Sequence, residues 1–500
     1  MKTLKNAGTM TLTCMLIILS LAALQAYGMW SLSQSVAETV FAFCLWSLAM
    51  IPLPGLWVLA TFPGFPVSSG LGLPKVPEFR RWAQTFTVAT GLFSLASAGV
   101  LFVSGNSLLN IVAATLTTFT TVLLSLRMLL NFKAIPHRKA ALKKAIVAFE
   151  PRAIIYTARA DGGAYQIQQW LPMVLSVIPN TLVVTRDATA ASILAQDLPT
   201  GTAIVSCQEN ADLDFVMLGS ARIAFYVNSV SSNSTAVNYR SLQHVYLGHG
   251  DSDKEISAHP AHRMYDKIFV SGQAAIDRYA AANITLDADQ AVVVGRPQMA
   301  GLHSISAPQR INTVLYAPTW SGYNQASSLS SLKRAEPFIK DCLARGLRVI
   351  FRPHPFSLKR GEDAKYVEAI DALLSSDGGD HVGSMGSSTR LLTDVFNESD
   401  ALISDISSVV VDYLTTSKPI SILINTDDIT EFRRKYPTAA SAYLADSPDS
   451  AAWRHLFEAD IRFSERQRSA TYYVADSSVE SFDRAVHSIL DSMAAPQPSR

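Results

Sequence analysis

The chain has 500 residues, 49% of them apolar and 17% charged, and a net charge of +1. That balance excludes the strongly basic surface of a nucleic-acid protein, and the length accommodates two or three domains. Four cysteines, none in a CxxC pair, exclude a disulfide framework and a cysteine-built zinc site.

The apolar excess is concentrated at the N-terminus. Residues 9–29, 36–62, 85–104 and 107–132 form four stretches nearly free of charge, each of about 20 residues or more, the length that crosses a hydrocarbon core of ~30 Å. The expectation is therefore an all-α transmembrane region of about four helices over residues 1–135. Pro52 and Pro54 interrupt the second stretch, which kinks it or makes it re-entrant. Lys2 and Lys5, then Lys75, Arg80 and Arg81, then Lys133, Arg138, Lys139, Lys143 and Lys144 fall on alternate connections. The positive-inside rule then places the protein as multi-pass in the cell membrane, with both termini and the catalytic part cytoplasmic. Residues 136–150 read as a basic juxtamembrane linker touching lipid headgroups.

From residue 151 onward, short β-branched runs alternate with helical patterns. Strands are expected at 153–156, 181–185, 202–207, 222–227, 244–247, 267–270 and 291–294, with helices such as 165–178 and 273–282 between them. A second series follows the polar segment 296–310, with strands at 313–316, 348–352, 401–404 and 420–423. Strands alternating with helices imply parallel βαβ units. The reading is thus α/β, with one doubly wound domain over 151–300 and another over 301–493. Ligands of such sheets gather beyond the carboxyl ends of the strands.

Four polar stretches stand at such strand ends. In Gly248-His249-Gly250-Asp251, with Lys254 following, the glycines leave an imidazole accessible, and imidazole suits proton transfer near neutral pH. The same residues also fit a turn histidine bonded to backbone. Thr319, in Tyr316-Ala317-Pro318-Thr319-Trp320, offers a hydroxyl to phosphate oxygens, although a loop around a packed tryptophan explains the run equally well. In Arg352-Pro353-His354-Pro355 two prolines hold a guanidinium near an imidazole, which suits a diphosphate or a structural ion pair. Ser407 and Ser408, after Ser404 and Asp405, open a helix, where unpaired amides favour an anion and where serine is also an ordinary cap.

Taken together, LGHGDSDK, LYAPTW, RPHP and SDISSVVVDYL, in this order and spacing, resemble the CDP-glycerol glycerophosphotransferase family of teichoic acid primases and polymerases. The resemblance is firm over residues 243–423. It implies a GT-B-like pair of Rossmann-type domains with the active site between them, here preceded by the transmembrane region. It also implies His249 as the catalytic base. Arg352, His354, Ser407 and Ser408, with Thr319 and Asp405, would hold the donor diphosphate or nucleotide, while Gly248, Gly250, Asp251 and Lys254 would support the acceptor side and the loop. Many members read His-Gly-Thr-Pro where this chain has His249-Gly250-Asp251-Ser252, and an aromatic residue at Ile406.

The implied partners are CDP-glycerol or a related CDP-polyol, a lipid-linked glycan acceptor and the membrane. No cofactor and no metal are expected. His244, His249, His259 and His262 also raise a zinc reading, which the intervening strand, turn and proline disfavour. Two rivals stand beside the family reading, a GT-B glycosyltransferase using a nucleotide sugar and a non-catalytic membrane scaffold in envelope assembly.

Overall fold

A computed structural model describes residues 36–50, 67–73, 107–159, 163–248, 250–254, 257–322, 328–358, 361–458 and 460–494, with single helical positions at 23, 27, 30, 31, 89, 92, 93 and 96. The chain divides into two compact units, Met1–Phe149 with Thr185–Phe215, and Glu150–Val184 with Val216–Arg500.

In the first unit the helix Val36–Met50 packs against a 43-residue helix, Ser107–Phe149. Trp46 is fully buried, and the Thr118 hydroxyl donates to the carbonyls of Leu45 and Ala114, at 2.8 Å each. The expected transmembrane region is overturned here. Among the described residues no helix is long and apolar enough to cross a membrane. The fourth apolar stretch is one end of a helix that runs on through the supposed basic linker and carries Arg127, Lys133, Arg138, Lys139, Lys143 and Lys144. Lys139 meets Glu209 at 2.8 Å and Asp212 at 3.2 Å, and Lys143 lies over the Phe215 ring, so these cations face protein partners. Residues 9–29 and 85–104 fall almost wholly outside the described residues. The multi-pass placement, and the inside and outside assignments built on it, fall with the spans.

The second unit contains two sheets. The strands of its first sheet are β1 (Ala153–Thr157), β2 (Thr181–Thr185), β3 (Ile223–Tyr226), β4 (Gln243–Tyr246), β5 (Lys267–Val270) and β6 (Ala291–Val293), in the order β2-β1-β3-β4-β5-β6. Every pairing from β1 to β6 is parallel. The second sheet orders β7 (Thr313–Ala317), β8 (Arg348–Phe351), β9 (Ala401–Ser404), β10 (Ile420–Leu423) and β11 (Tyr443–Ala445) as β8-β7-β9-β10-β11, all parallel.

Strands covered on both faces read as unbroken apolar runs, which is how AIIYT, TLVVT and TVLYA present themselves. Side chains alternate between the faces. Leu315, Ile350, Leu402 and Ile422 enter one core with Val410, Val411 and Phe396. Val314, Val349, Ile403 and Leu423 enter the other with Phe338, Ile370 and Trp453. The last helix, Val479–Ala494, leaves the second sheet and returns to the first, where Phe482 packs against Trp170, Phe225 and Phe269.

Candidate functional site

The loop after β4 is built around its two described glycines for different reasons. Gly248 has φ +64°, the left-handed region where a side chain is strained, and its carbonyl accepts from the Trp170 indole at 2.7 Å. Gly250 is needed for space, since a Cβ there would stand 2.5 Å from Ser408 Oγ and 2.6 Å from Ser408 Cβ. The first-sheet loop therefore lies directly on the start of the helix Ser408–Leu414. His249, between the two glycines, lies outside the described residues.

Lys254, at the end of the same loop, crosses to the second sheet. Its Nζ donates to Thr319 Oγ1 at 2.9 Å, and Thr319 donates its backbone N–H to Asp405 Oδ2 at 2.7 Å. Gly250, Lys254, Thr319, Asp405 and Ser408 thus converge from three strand ends. Burial lowers the Lys254 ammonium below its ordinary value, against the attraction of Asp405.

Burial also pushes the Asp405 carboxyl up to about 6, against donors from Ser331 and Thr319 and the charge of Lys254. For both partners, loss of water outweighs their mutual attraction. A carboxyl raised on folding holds its proton more tightly in the folded chain. Its stabilising contribution is present in full below its unfolded value, near pH 4, and is lost as pH rises through about 6. Asp405→Asn is therefore expected to gain on the wild type as pH rises, by on the order of 2 kcal/mol between pH 4 and pH 7.5. Urea unfolding of both proteins at the two pH values checks it, and a gap that shrinks with pH contradicts it.

Ser407 occupies the N-cap position of the helix Ser408–Leu414, yet its side chain makes no capping bond, and its hydroxyl lies 3.3 Å from that of Ser404. Arg352 stands at the end of β8, but Nη1 donates to the carbonyls of Ser387 and, at 3.1 Å, Arg390. That nitrogen binds the close of a neighbouring helix. Burial, followed by Arg390, lowers the Arg352 guanidinium from its usual value. His354 Nδ1 accepts from the Phe356 N–H at 3.1 Å, and its ring joins Tyr165, Trp320 and Phe356 at centroid distances of 6.0, 6.2 and 5.4 Å. Tyr165 belongs to the helix Ala164–Val177 of the first sheet, so a second contact between the sheets is aromatic.

Asp251, where many relatives of the resembled family carry threonine, is held by Arg278 and by Ser271 Oγ at 2.6 Å. The three described histidines of the zinc reading are engaged elsewhere. His244 meets Tyr226 and the Tyr239 carbonyl, His262 meets Tyr279, and His259 accepts from the Ala261 N–H. Among the described residues no group of three or more potential ligands gathers.

Sequence reading missed Asp253, Arg296, Thr438 and Tyr473, which join the two halves, and Arg278, which braces Asp251 and Asp253. Gly295-Arg296-Pro297 at the end of β6 was the available signal, having the same strand-end form as the stretches that were singled out.

Residues 245–454 match the model of a protein family described as CDP-Glycerol:Poly(glycerophosphate) glycerophosphotransferase. This stretch belongs to that family. The chain is accordingly a CDP-glycerol glycerophosphotransferase-like enzyme, and the matched stretch contains every candidate residue from Gly248 to Ser408. No curated protein matches the sequence.

Solved structures similar to this chain include the wall teichoic acid polymerase TagF, at 13% identity and TM-score 0.47, over 73% of this chain and 97% of that one. A putative UDP-N-acetylglucosamine 2-epimerase from Listeria monocytogenes is similar at 12% identity and TM-score 0.44, over 70% and 98%. The S. aureus MnaA–UDP structure is similar at 11% identity and TM-score 0.45, over 70% and 99%. Likenesses this distant leave the chemistry of the glycerophosphotransferase-like enzyme to the family match and to its own residues.

Proposed function

We propose that this enzyme transfers glycerol phosphate, or a similar polyol phosphate, from CDP-glycerol to a hydroxyl of a lipid-linked glycan acceptor, releasing CMP, in the synthesis of a teichoic-acid-like polymer. The observation that carries this reading is the seating of the His249 loop on the second sheet. Gly250 leaves no room for a Cβ against Ser408, and Lys254 reaches Thr319 at 2.9 Å.

In the reaction an acceptor oxygen bonds to the β-phosphorus of the donor as the bond from that phosphorus to the bridging oxygen breaks. The departing electron pair remains on CMP, and His249 takes the hydroxyl proton. Charge grows on the departing phosphate, so fixed donors around it contribute most of the stabilisation. In this reading Thr319, Arg352, Ser407 and Ser408 supply those donors, and the Lys254–Thr319 hydrogen bond, at 2.9 Å, supports it.

The testing experiment incubates the full chain with CDP-glycerol, CDP-ribitol or UDP-sugars and an acceptor lipid, then measures nucleotide release and product mass. CMP release with a mass gain of one or more polyol phosphate units supports the reading. Sugar transfer from a UDP-sugar, with no CMP from either CDP-polyol, replaces it with a nucleotide-sugar transferase.

A further inference from the structure

Asp253 lies four residues beyond His249 and its side chain is 5% exposed. It belongs by sequence to the first-sheet loop, yet three of its hydrogen bonds come from residues that follow the second sheet's β10. Oδ2 accepts from the Thr438 backbone N–H at 2.7 Å and from the Thr438 hydroxyl at 2.6 Å, and Oδ1 accepts from the Tyr473 hydroxyl at 3.0 Å. Thr438 sits in the first turn of the short 3₁₀ helix Pro437–Ser441, whose own N-cap residue, Tyr436, makes no side-chain cap. N–H groups in a first turn have no partner within their helix. Asp253 satisfies one of them across 185 residues of chain.

The other side of the loop is tied to its own sheet. Arg278 Nη1 binds Asp251, Arg278 Nη2 lies 3.6 Å from Asp253, and Ser271 holds the second oxygen of Asp251. The supporting helix Gln273–Ala281 is itself docked closely, since a Cβ on its N-cap Gly272 would stand 2.7 Å from the carbonyl oxygens of Tyr472 and Tyr473. One guanidinium thus joins a carboxylate bonded to the first sheet's elements with a carboxylate bonded to the second sheet's.

We propose that Asp253 is a positioning residue for transfer, registering the His249 loop against Thr319 and Ser408 through Thr438 and Tyr473. Asp251 and Arg278 fix where the loop leaves its own sheet, and Asp253 fixes its height above the other. A reacting pair displaced by about 1 Å loses on the order of a hundredfold in rate, so a carboxylate remote from the chemistry acts on kcat in this way. The kinetic part of the proposal rests on the transfer reaction above, whereas its structural part does not.

The experiment compares Asp253→Asn and Tyr473→Phe with wild type in the full chain. Both replacements keep the shape and remove charge or a single hydroxyl. Asp253→Asn is expected to lower kcat by about tenfold to a hundredfold while KM for CDP-glycerol stays within about twofold, and Tyr473→Phe is expected to do the same more weakly. Amide hydrogen exchange is expected to rise in a peptide spanning residues 247–258, with the strands of both sheets unchanged.

Unchanged kcat in both variants overturns the proposal. So does exchange that rises throughout the second sheet while kcat falls only in step with the folded fraction, the pattern of a purely structural residue. If the wild type transfers nothing from CDP-glycerol, the function proposed above fails, and exchange in the 247–258 peptide of Asp253→Asn still decides the proposal, with no local rise overturning it.

Discussion

Replacing His249 with alanine is expected to lower kcat for CMP release by about 10²–10⁴, the range that a positioned general base contributes. The loss should fall on kcat and leave KM for the donor nearly unchanged, because the proposed function assigns the donor to other residues, Thr319, Arg352 and the start of the helix Ser408–Leu414. Activity should not fall to the solution rate, since the donor-side electrostatic contribution survives the substitution. The pH profile gives a sharper signature. Wild-type kcat/KM should rise with pH as the imidazole loses its proton and becomes able to accept one, and the alanine protein should lack that limb. Steady-state assays of CMP release between pH 5 and pH 9 measure both effects. A retained limb at full amplitude would assign the base to another group.

Asp412→Ala is expected to destabilise the fold of the second unit strongly. Arg296 Nε and Nη2 donate to the two carboxylate oxygens of Asp412 at 2.6 and 2.9 Å, with the side chains 5% and 3% exposed. Burial pushes the Asp412 carboxyl up even so, against the opposing pull of Arg296. Removing one member strands a buried guanidinium, and broken pairs of this kind cost about 3–5 kcal/mol. Whole domains have only about 5–15 kcal/mol to lose. Replacing both partners with apolar residues of similar volume, Arg296→Met with Asp412→Leu, should recover most of the loss, because the desolvation cost disappears along with the attraction. Urea unfolding of the two single variants and the double variant checks this. A double variant no more stable than Asp412→Ala would mean that the pair is worth its full Coulomb attraction.

The strands of the second unit were legible because sheets covered on both faces demand unbroken apolar runs, and strand ends were legible because polar motifs begin where those runs stop. The same logic failed at the N-terminus. Apolar content by itself does not fix where a helix ends, and the helix Ser107–Phe149 continues through its cationic end with Lys139 paired to Glu209 and Asp212. The register between loops was also illegible. Asp253 and Thr438 stand 185 residues apart, and Arg296 and Asp412 stand 116 apart, with nothing local to mark either pair. Arg352 shows the converse. Its place at a strand end was readable, whereas its engagement with the carbonyls of Ser387 and Arg390 depended on where a neighbouring helix stops.

By itself the amino-acid order determined the alternation of strand and helix, the chemical types placed at the strand ends and the family of residues 245–454, since all of these are written in local periodicity and short motifs. Tertiary structure alone decided which motifs meet, that Gly250 lies against Ser408 and Lys254 against Thr319, and which charges are neutralised within the protein. These outcomes depend on close packing and on the cost of taking charge out of water, and both are set by neighbours distant in the chain.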